Sequence, residues 1–238
     1  MNRVLPTDPA ALGAALPDEA RWVYARSMLL AGHAHVRLGA AGDGALVLDP
    51  TTAVLVGRPD PQLLREALAG PPERSLLIEE DALAGARVAL PGWIARLFVV
   101  HLRPEPYAAD TQFAPGVVVS APLDPAVLAG LPAEVRADAE DAPAAALSFV
   151  DGLPVAVCAV SDLTETLWDV GIDTITSARR QGQATAAFLA LAAVMAAQGR
   201  QPVWAAYQDY PPSLALAARL GFRAVARMAE LVPPGQSH

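Results

Sequence analysis

Along residues 145–231 the spacing of hydrophobic positions alternates between the strand period of two and the helix period near 3.6, and each switch marks an element. Ala146-Leu147-Ser148-Phe149-Val150 and Pro154-Val155-Ala156-Val157-Cys158-Ala159-Val160 flank Asp151-Gly152, which predicts a hairpin. Leu167-Trp168-Asp169-Val170-Gly171-Ile172 continues as a third strand to about Thr174. Residues 181–198 then keep Ala184, Phe188, Leu191 and Met195 on one stripe and stop at Gly199, a helix with a glycine end signal. Residues 202–206 read as a strand, 212–220 as a helix and 222–231 as a last strand. Upstream, residues 116–120 are a short strand, and 125–138 carry Val127, Leu128, Leu131 and Val135 at helical spacing interrupted by Pro132.

The first half is plainer. Residues 17–30 predict a helix, 45–49 and 53–56 a hairpin, 61–68 a helix, and 75–78 and 94–102 two strands, a mixed α/β pattern. Residues 103–115, rich in proline and polar side chains, are the linker candidate, which divides the chain into an N-terminal α/β domain at 1–112 and a second domain at 113–238. Residue by residue the halves show no repeat, although their orders of strands and helices could be related.

The candidate chemistry sits where the third strand of the second half meets its long helix. Ile172-Asp173-Thr174 runs into Arg179-Arg180-Gln181-Gly182-Gln183-Ala184, an Arg-x-x-Gly-x-Ala turn. Gly182 lets the backbone approach a phosphate, and the amides of Gln183, Ala184 and Thr185 open a helix without intrahelical acceptors, so a diphosphate can take them. An ordinary solvated helix start has the same local look, and only the flanking elements separate the two readings.

With those flanks, the Arg-x-x-Gly-x-Ala turn, the three preceding strands, and Ser213 and Leu220-Gly221-Phe222 behind it, residues 115–230 resemble the GNAT superfamily of acyl-CoA-dependent N-acyltransferases. The resemblance implies an α/β (α+β) GNAT fold, a mixed, mostly antiparallel central sheet flanked by helices, preceded by the smaller N-terminal domain. It implies acetyl-CoA as cosubstrate, held by Ile172, Asp173, Thr174, Arg179, Arg180, Gln181, Gly182, Gln183, Ala184, Thr185 and Ser213, with no metal. The chain departs from the family pattern twice: Tyr210 stands where an Asn is common, and Ala217 where many members carry the tyrosine that protonates the departing thiolate.

Direct acyl transfer needs a neutral amine, a polarised carbonyl and a proton for the leaving thiolate, so the protein's task is chiefly positioning. Asp169 is the expected base, with the reading of a plain solvated strand residue of equal weight, and Tyr210 and Tyr207 are the candidate acids. The expected activity is N-acetylation of a small-molecule or peptide amine. The alternative is an acyl-CoA-binding sensor without catalysis.

Composition narrows the partners. The net charge of −8 argues against nucleic acid and an anionic membrane surface. All 17 basic residues are arginines, which removes any lysine nucleophile. No apolar run reaches a spanning length and Met1-Asn2-Arg3 opens no signal-type stretch, so the expectation is a soluble, cytoplasmic protein, with a homodimer allowed. Cys158 lies in an apolar strand pattern and reads as a structural thiol; His33, His35 and His101 have no ligand-spaced companions and read as structural too.

Overall fold

The computed structural model describes residues 5–6, 8–70, 74–105, 107, 116–137 and 139–235; most of the linker candidate at 103–115 lies outside them. The described chain is mixed α/β, with eleven strands and eight α-helices. Six of its ladders are antiparallel and two are parallel.

The order of elements occurs twice. The first pass runs α1 (Pro9–Ala15), α2 (Val23–Leu30), β1 (His35–Leu38), β2 (Gly44–Leu48), β3 (Thr52–Gly57), α3 (Pro61–Leu68), β4 (Ser75–Glu79), α4 (Leu83–Ala89) and β5 (Ile94–Leu102). The second begins with β6 (Val117–Ser120) and repeats it as α5 (Pro125–Ala129), α6 (Ala133–Arg136), β7 (Ala145–Val150), β8 (Leu153–Leu163), β9 (Leu167–Thr174), α7 (Gln183–Ala197), β10 (Gln201–Tyr207), α8 (Pro211–Arg219) and β11 (Arg223–Val232). In each pass the first three strands after the helix pair are antiparallel neighbours, and the third is joined through a helix to a parallel partner. The parallel ladder covers three residues in both: Thr52–Val54 with Ser75–Leu77, and Leu167–Asp169 with Gln201–Val203. The sequence offered this kinship only as a possible shared order of elements, because the halves match in order and pairing rather than in side chains. It hid α1, β1 and α4, all short segments of weak periodicity, and Pro132 splits the expected 125–138 helix into α5 and α6.

By compactness the residues group into two units, 1–101 with 205–214 and 224–238, and 102–204 with 215–223. In the first, strand order is β1-β2-β3-β4-β11-β5, with β11 antiparallel to β4. One face buries Leu46, Leu55, Leu76, Ile78, Ala229 and Leu231 against Leu63, Leu64 and Leu68 of α3 and Ala86 and Ala89 of α4.

In the second unit the order is β10-β9-β8-β7-β6. One face of β7 and β8 packs Ala145, Leu147, Val157 and Ala159 against Leu131 and Val135. The opposite face receives α7, whose alanines let its Phe188 sink into a cluster of rings: Trp168 stacks on it at 6.2 Å, and Trp204 and Phe222 stand 5.8 Å away. Burial of this aromatic set fixes α7 against β9 and so places the turn that precedes it.

Candidate functional site

β9 ends at Thr174 and passes through a short 3-10 helix, Thr176–Ala178, into the turn that opens α7. Two residues of that turn have left-handed backbones, Arg180 at φ 61° and Gly182 at φ 85°. At Gly182 a Cβ would meet no atom within 4 Å, so conformation rather than space calls for glycine. Gly182 is the N-cap of α7 and supplies no side-chain cap. Its carbonyl accepts the Ala186 amide at 3.0 Å, which leaves Gln183, Ala184 and Thr185 in the first turn with amides outside the helical ladder. Fifteen residues of aligned peptide dipoles add partial positive charge at this end.

The side chains around the turn divide. Gln183 faces inward, its Oε1 accepting from the hydroxyl of buried Ser148. Gln181 is exposed, and its amide nitrogen donates to the Ser177 carbonyl at 3.0 Å. Arg179 folds back: its Nε donates to the Thr174 carbonyl at 3.2 Å and its Nη2 lies 3.9 Å from Asp173 Oδ1. The same Asp173 oxygen accepts the Thr174 amide at 2.6 Å. Arg180 is exposed, and no ion pair to it is found among the described residues. Ala184 and Thr185 are partly exposed on the first turn, with Thr185 Oγ1 accepting from Arg219 at 3.1 Å.

Pairing assigns faces to β9. Val157 and Ala159, which pack against Leu131 and Val135, stand opposite Asp173 and Gly171. Opposed antiparallel residues share a face, so Asp169, Gly171 and Asp173 point to that side, while Trp168, Val170, Ile172 and Thr174 point to α7. Asp169 is 5% exposed at the last rung of the parallel ladder, opposite Val203. At the same rung in the first pass stands buried Val54, opposite Leu77. The structure therefore puts a carboxylate inside at a place where the related strand has a hydrocarbon. Beyond this rung β9 continues for five residues past the β10 ladder.

The remaining candidates lie on β10, α8 and the residues between them. Tyr207 is half-buried and donates its hydroxyl to Glu230 Oε2, while the Arg96 guanidinium lies 3.7 Å from its ring centroid. Burial first, and the bond to Glu230 second, push its phenol well above the ordinary tyrosine value. Tyr210 is 50% exposed just before α8, and Ser213 lies in the first turn of that helix. Ala217 is fully buried. Sequence reasoning passed over Glu230, a carboxylate 8% exposed in β11; the signal was a lone acid inside the apolar run Met228-Ala229-Glu230-Leu231-Val232. It also passed over Ser148 and Arg219, which look unremarkable until Gln183 and Thr185 are seen beside them.

No helix among the described residues is long and apolar enough to cross a membrane. No curated protein matches the sequence. Among solved structures, a GCN5-related N-acetyltransferase from Kribbella flavida superposes with a TM-score of 0.65 at 20% identity, covering 93% of this chain and 97% of that one. A GCN5-related N-acetyltransferase-like protein from Streptococcus suis 89/1591 does so with a TM-score of 0.64 at 16% identity, covering 94% and 96%. Both likenesses establish the fold over nearly the whole chain. The model of the GNAT acetyltransferase family matches residues 147–228, the stretch that holds β9, the turn, α7 and α8.

Proposed function

We propose that the protein is an N-acetyltransferase that moves the acetyl group of acetyl-CoA directly to an amine, a small molecule or a peptide. The observation that carries this reading is the uncapped turn from Arg180 to Thr185 at the mouth of a fifteen-residue helix. The diphosphate would lie over the amides of 180–185, and the pantetheine arm would run along β9 at Ile172, Asp173 and Thr174. In this reading residues 113–238 form the acetyltransferase domain, and Ser213 adds a contact to the CoA arm.

The amine attacks the thioester carbonyl, the C–N bond forms as the C–S bond breaks, and the amine proton passes to the Asp169 carboxylate directly or through a water. A β9 amide near Ile172–Thr174 polarises the carbonyl as negative charge develops on it. The thiolate takes its proton from Tyr210, Tyr207 or water. Of the two phenols Tyr210 is the one proposed, because Tyr207 already donates to Glu230 and burial raises its phenol, which makes it the poorer acid.

Thiol release from acetyl-CoA with a panel of amines tests the reaction, and calorimetry of CoA binding to Gly182→Val tests the site. Forcing a β-branched residue to φ 85° costs about 1–3 kcal/mol or drives the turn out of shape, so affinity should fall about ten-fold or more while Gly199→Val leaves it alone. Unchanged affinity in a folded Gly182→Val protein would refute the site. The second reading, an acyl-CoA sensor, is favoured by Ala217: a buried methyl at the place of the family's tyrosine offers no proton. Binding of CoA with no acetylation of any amine would select it.

A further inference from the structure

Around Tyr207 the first unit holds two opposite charges that do not pair with each other. Glu230 on β11 is 8% exposed, and its Oε2 accepts the Tyr207 hydroxyl. Its other oxygen takes no hydrogen bond from a described residue and is not sealed from solvent. Arg96 on β5 is half-buried, with its guanidinium carbon 3.7 Å from the centre of the Tyr207 ring. Among the described residues no carboxylate lies within ion-pair distance of it, and none of its N–H groups finds an acceptor. Phe98 stands edge-on to the same ring at 6.1 Å.

Other arginines of this unit do find carboxylates. Arg21 pairs with Glu79 at 3.0 Å, Arg58 with Asp43 at 3.8 Å, and Arg227, on the same strand as Glu230, with Glu80. A buried carboxylate with a single neutral donor keeps most of its charge uncompensated, and packing alone would favour an ion pair or a hydrocarbon there, as at its buried neighbours Met228 and Val232. The bond to Tyr207 accounts for one oxygen of Glu230, and the ring accounts for where Arg96 lies. Neither accounts for an open anion and an open cation held at one phenol. A ligand with one charge would leave the other unanswered. A molecule with an ammonium and a carboxylate on one carbon answers both: the ammonium donates to the free oxygen of Glu230, and the carboxylate takes paired bonds from the guanidinium.

We infer that Glu230 and Arg96 bind the zwitterionic head group of an amino acid. Tyr207 is then a positioning residue, whose hydroxyl fixes Glu230 and whose ring carries Arg96. As a bound ligand the amino acid needs no further premise. As the acceptor of the acetyl group it rests on the acetyltransferase reading, and the other source of the same chemistry is a regulatory amino acid. N-acetylation removes the ammonium, so an N-acetylated amino acid should bind here no better than the acid that lacks the amine altogether.

The experiment is calorimetry on the full chain, with and without CoA, using a panel of the common L-amino acids. The tightest binder is then compared with its amide, which keeps only the ammonium, and with its deaminated acid, which keeps only the carboxylate. Wild type should prefer the amino acid to either by about ten-fold, the scale of one charge-assisted contact. Arg96→Gln should erase the preference over the amide and keep that over the deaminated acid, and Glu230→Gln should do the reverse. Thermal unfolding verifies each fold, and the half-buried Arg96 keeps the test decisive should Glu230→Gln fail to fold. A merely structural role would weaken all three ligands alike, and that result, or a wild type that binds CoA but no amino acid, overturns the inference while the acyl-CoA reading stands. Binding of the amino acid without binding of CoA does the opposite. Thiol release from acetyl-CoA with the bound amino acid, reduced in Arg96→Gln, marks it as the acceptor; binding without release upholds the site and assigns it to a regulatory ligand.

Discussion

The two passes through the same order of elements reach the same junction, a strand leaving a three-residue parallel ladder and turning into a helix, and finish it in opposite ways. In the first pass Asp60 caps α3: its Oδ1 accepts the amides of Gln62 at 2.9 Å and Leu63 at 3.3 Å. Its Oδ2 accepts the Ala40 amide at 2.8 Å. Pro61 at the first helical position has no amide to offer. Of the three first-turn donors, then, one is missing and two are spent. In the second pass the cap is Gly182, which has no side chain, and the residues that follow it, Gln183, Ala184 and Thr185, all carry amides. A helix start that satisfies itself is a structural element, and one left unsatisfied has affinity to give to an anion. The ladder repeats the contrast, with Val54 in one copy and Asp169 in the other.

The strongest way to break the comparison is at that rung. If Asp169 is the base, Asp169→Asn should lower kcat by about a hundred- to ten-thousand-fold with little change in CoA affinity. Asp169→Val, which copies the first pass, should be at least as poor. Both are read from thiol release alongside calorimetry. Full kcat in a folded Asp169→Asn would return this carboxylate to a structural role and leave the chemistry to be sought at Tyr210 or Glu230.

Transplanting the cap comes next. Gly182→Asp brings the carboxylate of the first pass to the second helix start, but at a left-handed φ of 85° where Asp60 has an extended −96°. The strain of a side chain at that φ, about 1–3 kcal/mol, offsets what a cap contributes, so the melting temperature should hold or fall, and CoA affinity should fall by about ten- to a hundred-fold, because a negative charge faces the diphosphate. Parallel measurement of melting temperature and CoA affinity decides: a variant that stays folded and binds CoA as well as wild type would mean that the amides of α7 are not the anion site.

How far the sequence revealed this junction depended on the kind of signal. The Arg-x-x-Gly-x-Ala turn could be read because glycine and a long alanine-rich helix are local features, and the family match over residues 147–228 falls on the same stretch. The strands were legible where their apolar runs were long, as at residues 154–160, and missed at β1, whose four residues alternate between exposed and half-buried. The double pass was legible only as a possible kinship in the order of elements. It depends on which strands pair and in which direction, and sheet neighbours far apart in the chain leave no mark on the spacing of either one. Nor was the setting of Tyr207 legible: Glu230 is 23 residues away on β11, and the strand order β11-β5-β10 brings an acid from near the end of the chain to that phenol.

Asp60 tests the other side of the comparison. Its carboxyl is held below the ordinary carboxylate value, first by the Ala40 amide and then by that of Leu63. A depressed folded-state value means stability that is present above the unfolded value, near pH 4, and lost as pH falls through the folded one. Asp60→Ala should cost about 0.5–2 kcal/mol at neutral pH, the usual worth of a cap, and leave CoA affinity untouched. Chemical denaturation at pH 7 and at pH 3 measures this: the gap between wild type and Asp60→Ala should shrink at the lower pH. A loss of CoA affinity in Asp60→Ala would show that the first helix start serves the ligand too.

The smallest effect is expected at Asp173, and its sign is the informative part. Asp173 Oδ1 occupies the Thr174 amide and stands 3.9 Å from Arg179, whose other bond is to the Thr174 carbonyl. A pantetheine arm running along β9 would compete with this carboxylate for the amide, and a diphosphate would compete with it for the guanidinium. The ion pair is about half exposed on both sides, so it contributes little to stability, within about 1 kcal/mol. Asp173→Asn keeps the shape, removes the charge and weakens the acceptor. CoA affinity should therefore rise, by up to about five-fold, with the melting temperature nearly unchanged. Calorimetry at two salt concentrations sharpens the test: the gain should shrink as salt screens the charge that was removed. A fall in affinity would mean that Asp173 helps the ligand by ordering Arg179, and the turn would then depend on its own carboxylate as much as the first pass depends on Asp60.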